Sequence, residues 1–166
     1  RDGYHVQATE GGHIGLAPVD VFEDALLAHL RDRHGRVSVE RVVSGPALPD
    51  YFRILGGAPN GAHDVKALWN AGLDGTDHVA AAAVERFCRA LGSVAGDLAL
   101  AHGASAIVIA GGVGQRLRDR LPQSGFAGRL VAKGRYEAIL AAMPVKLIAY
   151  PEPGLLGAAA AYRAAF

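Results

Sequence analysis

An α/β fold is what this sequence predicts, on three observations. Ser105 to Ala110 and Val145 to Tyr150 are short apolar runs that read as buried strands, and each leads through glycine into a helical pattern. Apolar residues recur at helical spacing elsewhere, as in Phe22, Leu26, Leu27 and Leu30, and again in Val84, Phe87, Cys88, Leu91 and Ala95. With 51% hydrophobic residues, 20% charged and 22 glycines, the 166 residues suit one domain with a real core and tight loops.

Taken in order, Tyr4 to Thr9 alternates like a strand and delivers the chain to a Gly-Gly turn. Asp20-x-x-Glu23 reads as a capping box on a helix from Val21 to about Arg33, with Gly35 as C-cap. Ser38 caps a short helical turn that Ser44-Gly45-Pro46 breaks, and a helix from about Ala47 to Leu55 follows. Gly56 to Gly61 is a loop, and Asp64 opens a short helix through Trp69. Thr76 or Asp77 caps a long helix to about His102. Gly92 and Gly96 lie inside it at a spacing that admits close packing of another element, which offsets their cost of roughly 1 kcal/mol each. After the first strand come Gly111-Gly112 and a helix with Arg116, Arg118 and Arg120. Pro151-Glu152-Pro153-Gly154 leads from the second strand into an alanine-rich final helix.

Charge and cysteine content narrow the function classes. Seventeen basic against sixteen acidic residues give a net charge of +1, and the clusters Arg31 to Arg36 and Arg116 to Arg120 read as solvated helix faces. That argues against nucleic acid as a partner. The single Cys88 excludes an internal disulfide and a cysteine-based zinc site, and its helical neighbours make it a buried thiol. The longest uncharged run, Leu98 to Gln115, breaks into helix end, strand and loop, so no membrane partner is expected. No basic leader with an apolar stretch opens the chain, which fits a cytoplasmic protein, and the abrupt Arg1-Asp2-Gly3 start suggests residues upstream.

Two motifs carry chemistry. Glu10-Gly11-Gly12-His13 places a carboxylate and an imidazole across a turn in which glycines admit positive φ and close ligand approach. A carboxylate accepts from two neighbouring hydroxyls while an imidazole donates or accepts, which suits a polyol such as a sugar; a tight turn with two solvated side chains is the competing reading. A transition metal is disfavoured, because paired glycines oppose the helix that Glu-x-x-His ligation needs and the one other acid-x-x-His pair, Asp2 and His5, sits at the ragged start of the chain. Gly111-Gly112 ends a strand at the carboxyl edge of a parallel sheet, where nucleotides bind. It lacks the dinucleotide spacing and the Walker lysine, so nucleotide contact and close helix packing both remain open.

Glu10-Gly-Gly-His13, Ser38-Val-Glu40-Arg-Val-Val-Ser-Gly-Pro46, Ile107-Val-Ile-Ala-Gly-Gly112 and Pro153-Gly-Leu-Leu-Gly157, in this order, resemble the later half of the bacterial ATP-dependent glucokinases. Asp97-Leu-Ala-Leu100 and Lys133-Gly134-Arg135 are similar to further motifs of that family, and the resemblance covers essentially the whole chain. It implies an actin-like ATPase or ribonuclease H-like sugar kinase domain, a mixed sheet flanked by helices. Residues 1–150 would form the large, C-terminal domain without its first strands, and 151–166 a helix returning toward a small domain not present in this sequence.

The resemblance also implies an activity, phosphorylation of glucose to glucose 6-phosphate in glycolysis, with ATP and Mg2+. Residues matching Glu10, His13 and Glu40 bind the sugar, and those around Gly111 and Gly112 line the nucleotide side. The family's catalytic aspartate and its phosphate loops lie upstream of Arg1, so this segment by itself is expected to be inactive. Its partners would be glucose, ATP and the missing N-terminal segment, and the family often forms homodimers. The related repressor and kinase group carries a cysteine-rich zinc motif, which a chain with only Cys88 cannot supply. A kinase for another hexose and a non-catalytic sugar-binding module stand as alternatives.

Overall fold

Asp20 starts the first helix as the sequence predicts. Its carboxylate accepts the Glu23 N–H at 3.0 Å, and α1 (Val21–His34) ends at Gly35, where φ is 66°. Glu23 does not answer the Asp20 N–H, as a capping box would; it accepts the Val19 N–H at 2.9 Å instead. This computed structural model describes residues 7–58 and 64–165. The strand expected from Tyr4 lies partly outside them, and Gln7 to Thr9 have no regular structure.

Short elements follow: α2 (Val39–Val42), a 3-10 turn over Gly45–Ala47, α3 (Leu48–Ile54) and α4 (Val65–Asp74), which runs on past Trp69. Ser38 stands at the N-cap of α2 without a side-chain bond to it. Asp77, rather than Thr76, caps the central helix α5 (His78–Ala101), accepting the Val79 and Ala80 N–H groups at 2.8 and 2.9 Å. The rest of the described chain is β1 (Ile107–Ile109), α6 (Gly112–Arg116), α7 (Phe126–Val131), α8 (Glu137–Ala141), β2 (Val145–Leu147) and α9 (Pro153–Ala165).

The core forms where α3, α4 and α7 bury their apolar stripes against α5, and α1 packs its own against α3. Leu26, Leu27, Leu30, Leu48, Tyr51, Trp69 and Phe87 are fully enclosed. Phe22, Tyr51, Phe87 and Trp69 make a chain of aromatic contacts, with centroids 5.9, 5.9 and 5.1 Å apart. Each ring buries a large apolar area, so this file of side chains is a main source of stability. Gly92 and Gly96 have the packing role expected of them. A Cβ at Gly92 would stand 2.2 Å from the Phe126 carbonyl oxygen and one at Gly96 2.4 Å from that of Leu130, so α7 lies directly on this face of α5.

The sheet differs from expectation. Among the described residues it is two-stranded and parallel, with Ile107, Val108 and Ile109 opposite Val145, Lys146 and Leu147, not mixed. Nor are its strands buried on both faces: Val108 is 58% exposed and Val145 is open as well. Each strand also has only one hydrogen-bonded neighbour among the described residues, which leaves both as edges. Both are also shorter than the apolar runs that announced them, since pairing stops at Ile109 and Leu147. The α9 helix is exposed from Gly154 to Arg163, with Leu155, Leu156 and Tyr162 open to solvent. No helix among the described residues is long and apolar enough to cross a membrane.

Candidate functional site

Glu10, Gly11, Gly12 and His13 form one 3-10 turn, closed by the His13 N–H donating to the Glu10 carbonyl at 2.9 Å. The backbone is right-handed there, and neither glycine has positive φ. The positive φ that the glycines admit is thus not used, and the helical turn brings the Glu10 and His13 side chains to the same side because residues three apart eclipse in 3-10 geometry. The turn is then tied to α2. Val39 donates its N–H to the Ile14 carbonyl at 2.8 Å, and Gly15 and Ser38 form an antiparallel bridge. Gly12 lies so close to α2 that a Cβ there would sit 3.6 Å from Cβ of Glu40.

Three side chains meet as a result. His13 Nδ1 stands 3.7 Å from Glu10 Oε2 and 3.6 Å from Glu40 Oε2. These separations exceed hydrogen-bond length, so the imidazole and both carboxylates keep their bonding capacity for a ligand. The side chains of Glu10, His13 and Glu40 are 88%, 62% and 61% exposed. The arrangement is therefore an open one, with acceptors and an imidazole free to take hydroxyl groups.

A cavity of about 480 Å³ lies beside them, lined by His13, Arg36, Ser38, Glu40, Arg41 and Ser44 together with Pro46; Glu10 stands at its margin rather than in its wall. Its size is within the range of small-molecule sites. Arg36 donates from Nη2 to the His13 carbonyl at 2.5 Å and so steadies the turn. Nothing in the sequence marked Arg36 for this role; it belonged to a basic cluster, and its partner is far away in the chain. A second cavity, about 330 Å³, opens between α7, α8 and the sheet. Leu121, Phe126, Leu130, Leu140 and Leu147 dominate its wall, which offers no convergent set of acceptors for a polyol.

Gly111 and Gly112 stand where β1 passes into α6. Gly111 has φ 88°, a value that favours glycine, and a Cβ at either position would meet nothing within 4 Å. The open space removes close helix packing as the reason for these two glycines. Gly114 fills that role instead, since a Cβ there would be 2.9 Å from Ile109 Cγ2. The glycine edge and the polar cavity are linked through Ser44-Gly45-Pro46: Ser44 and Pro46 line the cavity, while Gly45 faces Val113 of α6 at 3.6 Å from its would-be Cβ. Trp69 pins that link by donating from Nε1 to the Gly45 carbonyl at 2.9 Å, and the Arg116 guanidinium lies 5.3 Å over the Trp69 ring. Gln115 of α6 donates to the Tyr150 and Pro151 carbonyls, at 2.6 and 3.2 Å, tying α6 to the segment before α9.

A polar cavity thus lies beside the glycine-ended edge of a parallel sheet, and the fold has a solved counterpart. The crystal structure of glucokinase from an Antarctic psychrotroph matches with a TM-score of 0.82 and 37% sequence identity, over 93% of this chain and 49% of that one. The family model described as Glucokinase matches residues 1–165, and the chain belongs to the glucokinase family. Its relatives include the glucokinase of Zymomonas mobilis subsp. mobilis, 54% identical over 96% of this chain and 50% of that protein. The glucokinase of a Caulobacter species is 42% identical over 92% and 47% respectively. The chain spans about half the length of the curated relatives it matches.

Proposed function

We propose that this chain is the sugar-binding portion of an ATP-dependent glucokinase, in which the complete protein phosphorylates glucose to glucose 6-phosphate. The observation that carries the reading is the meeting of Glu10, His13 and Glu40 at one open cavity, from segments remote in sequence. In this reading the two carboxylates accept hydrogen bonds from sugar hydroxyls, and the His13 imidazole donates or accepts a further one. Fixing the sugar ring orients its 6-hydroxyl, and positioning is the main catalytic resource in phosphoryl transfer. Gly111 and Gly112 give the nucleotide a surface without side chains at the carboxyl edge of β1. Mg2+ would enter with the phosphates of ATP; among the described residues no group of three or more His, Cys, Asp or Glu is placed to hold a metal ion.

The same reading assigns 1–150 to the large domain and 151–166 to a helix that reaches back toward the rest of the protein. Further strands from outside this chain would extend the two-stranded sheet into the mixed sheet of an actin-like, ribonuclease H-like architecture. The exposed β1 face and the solvated α9 support that completion, and a cytoplasmic homodimer is the expected assembly.

The test is Glu40→Gln in the full-length protein, followed by a coupled assay of glucose 6-phosphate. A charged hydrogen bond contributes about 1.5 to 3 kcal/mol, so KM for glucose should rise about 10-fold to 100-fold while the thermal midpoint stays put. Unchanged KM and kcat would remove Glu40 from the sugar site. A wild-type protein that prefers another hexose would redirect the substrate while leaving the site in place.

A further inference from the structure

The sugar cavity has a smaller neighbour. A recess of about 80 Å³ shares Arg41, Ser44 and Pro46 with it and is otherwise lined by Arg33, His34 and Asp50 among others. One ordered water needs only about 10 to 15 Å³, so the recess has room for a small polyatomic ion. Its charge is unbalanced. Asp50, on α3, already accepts from Arg33 and faces His29 Nε2 at 3.1 Å. The Arg41 side chain has no hydrogen-bond or ion-pair partner among the described residues.

We infer that this recess binds a phosphate-bearing anion, held by Arg41, Arg33 and His34 and coupled to the sugar cavity through Arg41. Arg33 and His34 by themselves need no ligand, since cations in the last turn of α1 answer its negative dipole end. Arg41 stands in the last turn of another element, α2, a single turn of 4 residues whose small dipole gives it little reason to sit beside them. Guanidinium groups present forked donors that match tetrahedral oxyanions. Partial desolvation and the nearby charges of Arg41 and Arg33 hold the His34 imidazole below its ordinary pKa, against the opposing effect of Asp50. An anion is the species that relieves such crowding of positive charge. Because Arg41 directly follows Glu40 in α2, an anion seated on it acts on the turn that aims Glu40 into the sugar cavity.

The experiment is titration calorimetry of the full-length protein at constant ionic strength, with inorganic phosphate alone, then with glucose 6-phosphate, and with chloride as control. Saturable phosphate binding is expected, accompanied by shifts of the His34 ring resonances in NMR. Arg41→Ala should weaken it about tenfold or more, and Arg41→Gln serves if the alanine variant unfolds. Arg36→Ala alters only the sugar cavity and should leave phosphate binding intact. Binding of the sugar phosphate alone, lost in Arg41→Ala but kept in Arg36→Ala, would support the site and name a phosphorylated sugar as its ligand. Three results would overturn the inference: no saturation beyond the chloride control, equal affinity in a folded Arg41→Ala variant, or loss in Arg36→Ala but not in Arg41→Ala. None of them bears on glucose binding at Glu10, His13 and Glu40, which is read separately through KM.

Discussion

Cys88 illustrates a residue whose chemistry is set by burial. It is enclosed in the core, and desolvation pushes its thiol up to about 11 despite a hydrogen bond with Ser124. Thiolate is the reactive form, so the folded protein should resist a disulfide-exchange reagent at pH 8 and react with one equivalent only after denaturant is added. Fast labelling of the native protein would contradict that placement. Asp20 is a different case. Burial alone would raise its carboxyl, but the Glu23 N–H and the Arg86 and Arg129 charges hold it below the ordinary carboxylate value of 3.8. A depressed carboxylate stabilises the fold above its unfolded pKa and loses that contribution as pH falls through the folded one. Asp20→Ala should therefore cost about 1 to 2 kcal/mol at pH 7 through the lost cap and ion pairs, and the difference should shrink below pH 3.8, as chemical denaturation at the two pH values would reveal. At this scale the Glu10 and His13 pair was legible because both lie in one turn. Glu40 was legible only through family resemblance, because a lone glutamate on a short helix carries no sign of what lies opposite it.

Among the elements, the contact of α5 with α7 offers the sharpest test. Alanine is a better helix former than glycine by about 1 kcal/mol, so propensity alone favours Gly92→Ala and Gly96→Ala. Sterics oppose it. The new Cβ atoms would stand 2.2 and 2.4 Å from backbone carbonyl oxygens of α7, which cannot swing aside as a side-chain tip can. Overpacking of this kind costs about 1 to 3 kcal/mol, so both variants should unfold at lower denaturant. Gly128, on α7 itself, faces open space, and Gly128→Ala should be neutral or gain up to about 1 kcal/mol. If all three substitutions behaved alike, α7 would not rest on α5 as described. The spacing of Gly92 and Gly96 foretold a close approach. It could not identify α7 as the partner, because ridge-to-groove packing is decided by elements distant in the chain.

For the whole molecule, exposed apolar surface is the governing feature. Val108 and Val145 on the sheet, with Leu155 and Leu156 on α9, present faces that a monomer of this size seldom leaves uncovered. The isolated 166-residue chain should consequently self-associate or bind apolar dye, and light scattering showing a monodisperse monomer with little dye binding would refute this. The same isolated chain should show no hexose phosphorylation above background, because in the family the base and phosphate loops are expected upstream of Arg1. Robust turnover in a coupled assay would mean that a second base lies within these residues.

Local chemistry determined much of this protein. Asp20 and Asp77 capped their helices, Gly35 ended α1, and the periodicity of Phe22, Leu26 and Leu30 marked a buried face, since each depends on neighbours within one or two helical turns. The family, too, was readable, from motifs whose order and spacing survive in one dimension. Tertiary structure alone decided that the Gly-Gly turn is right-handed, that Arg36 steadies it, that Arg41 faces Arg33 and His34, and that the strands stand as open edges. Each of these depends on residues brought together across long loops. A strand's apolar run records the burial that its partners will provide, but carries no record of which strands those partners are.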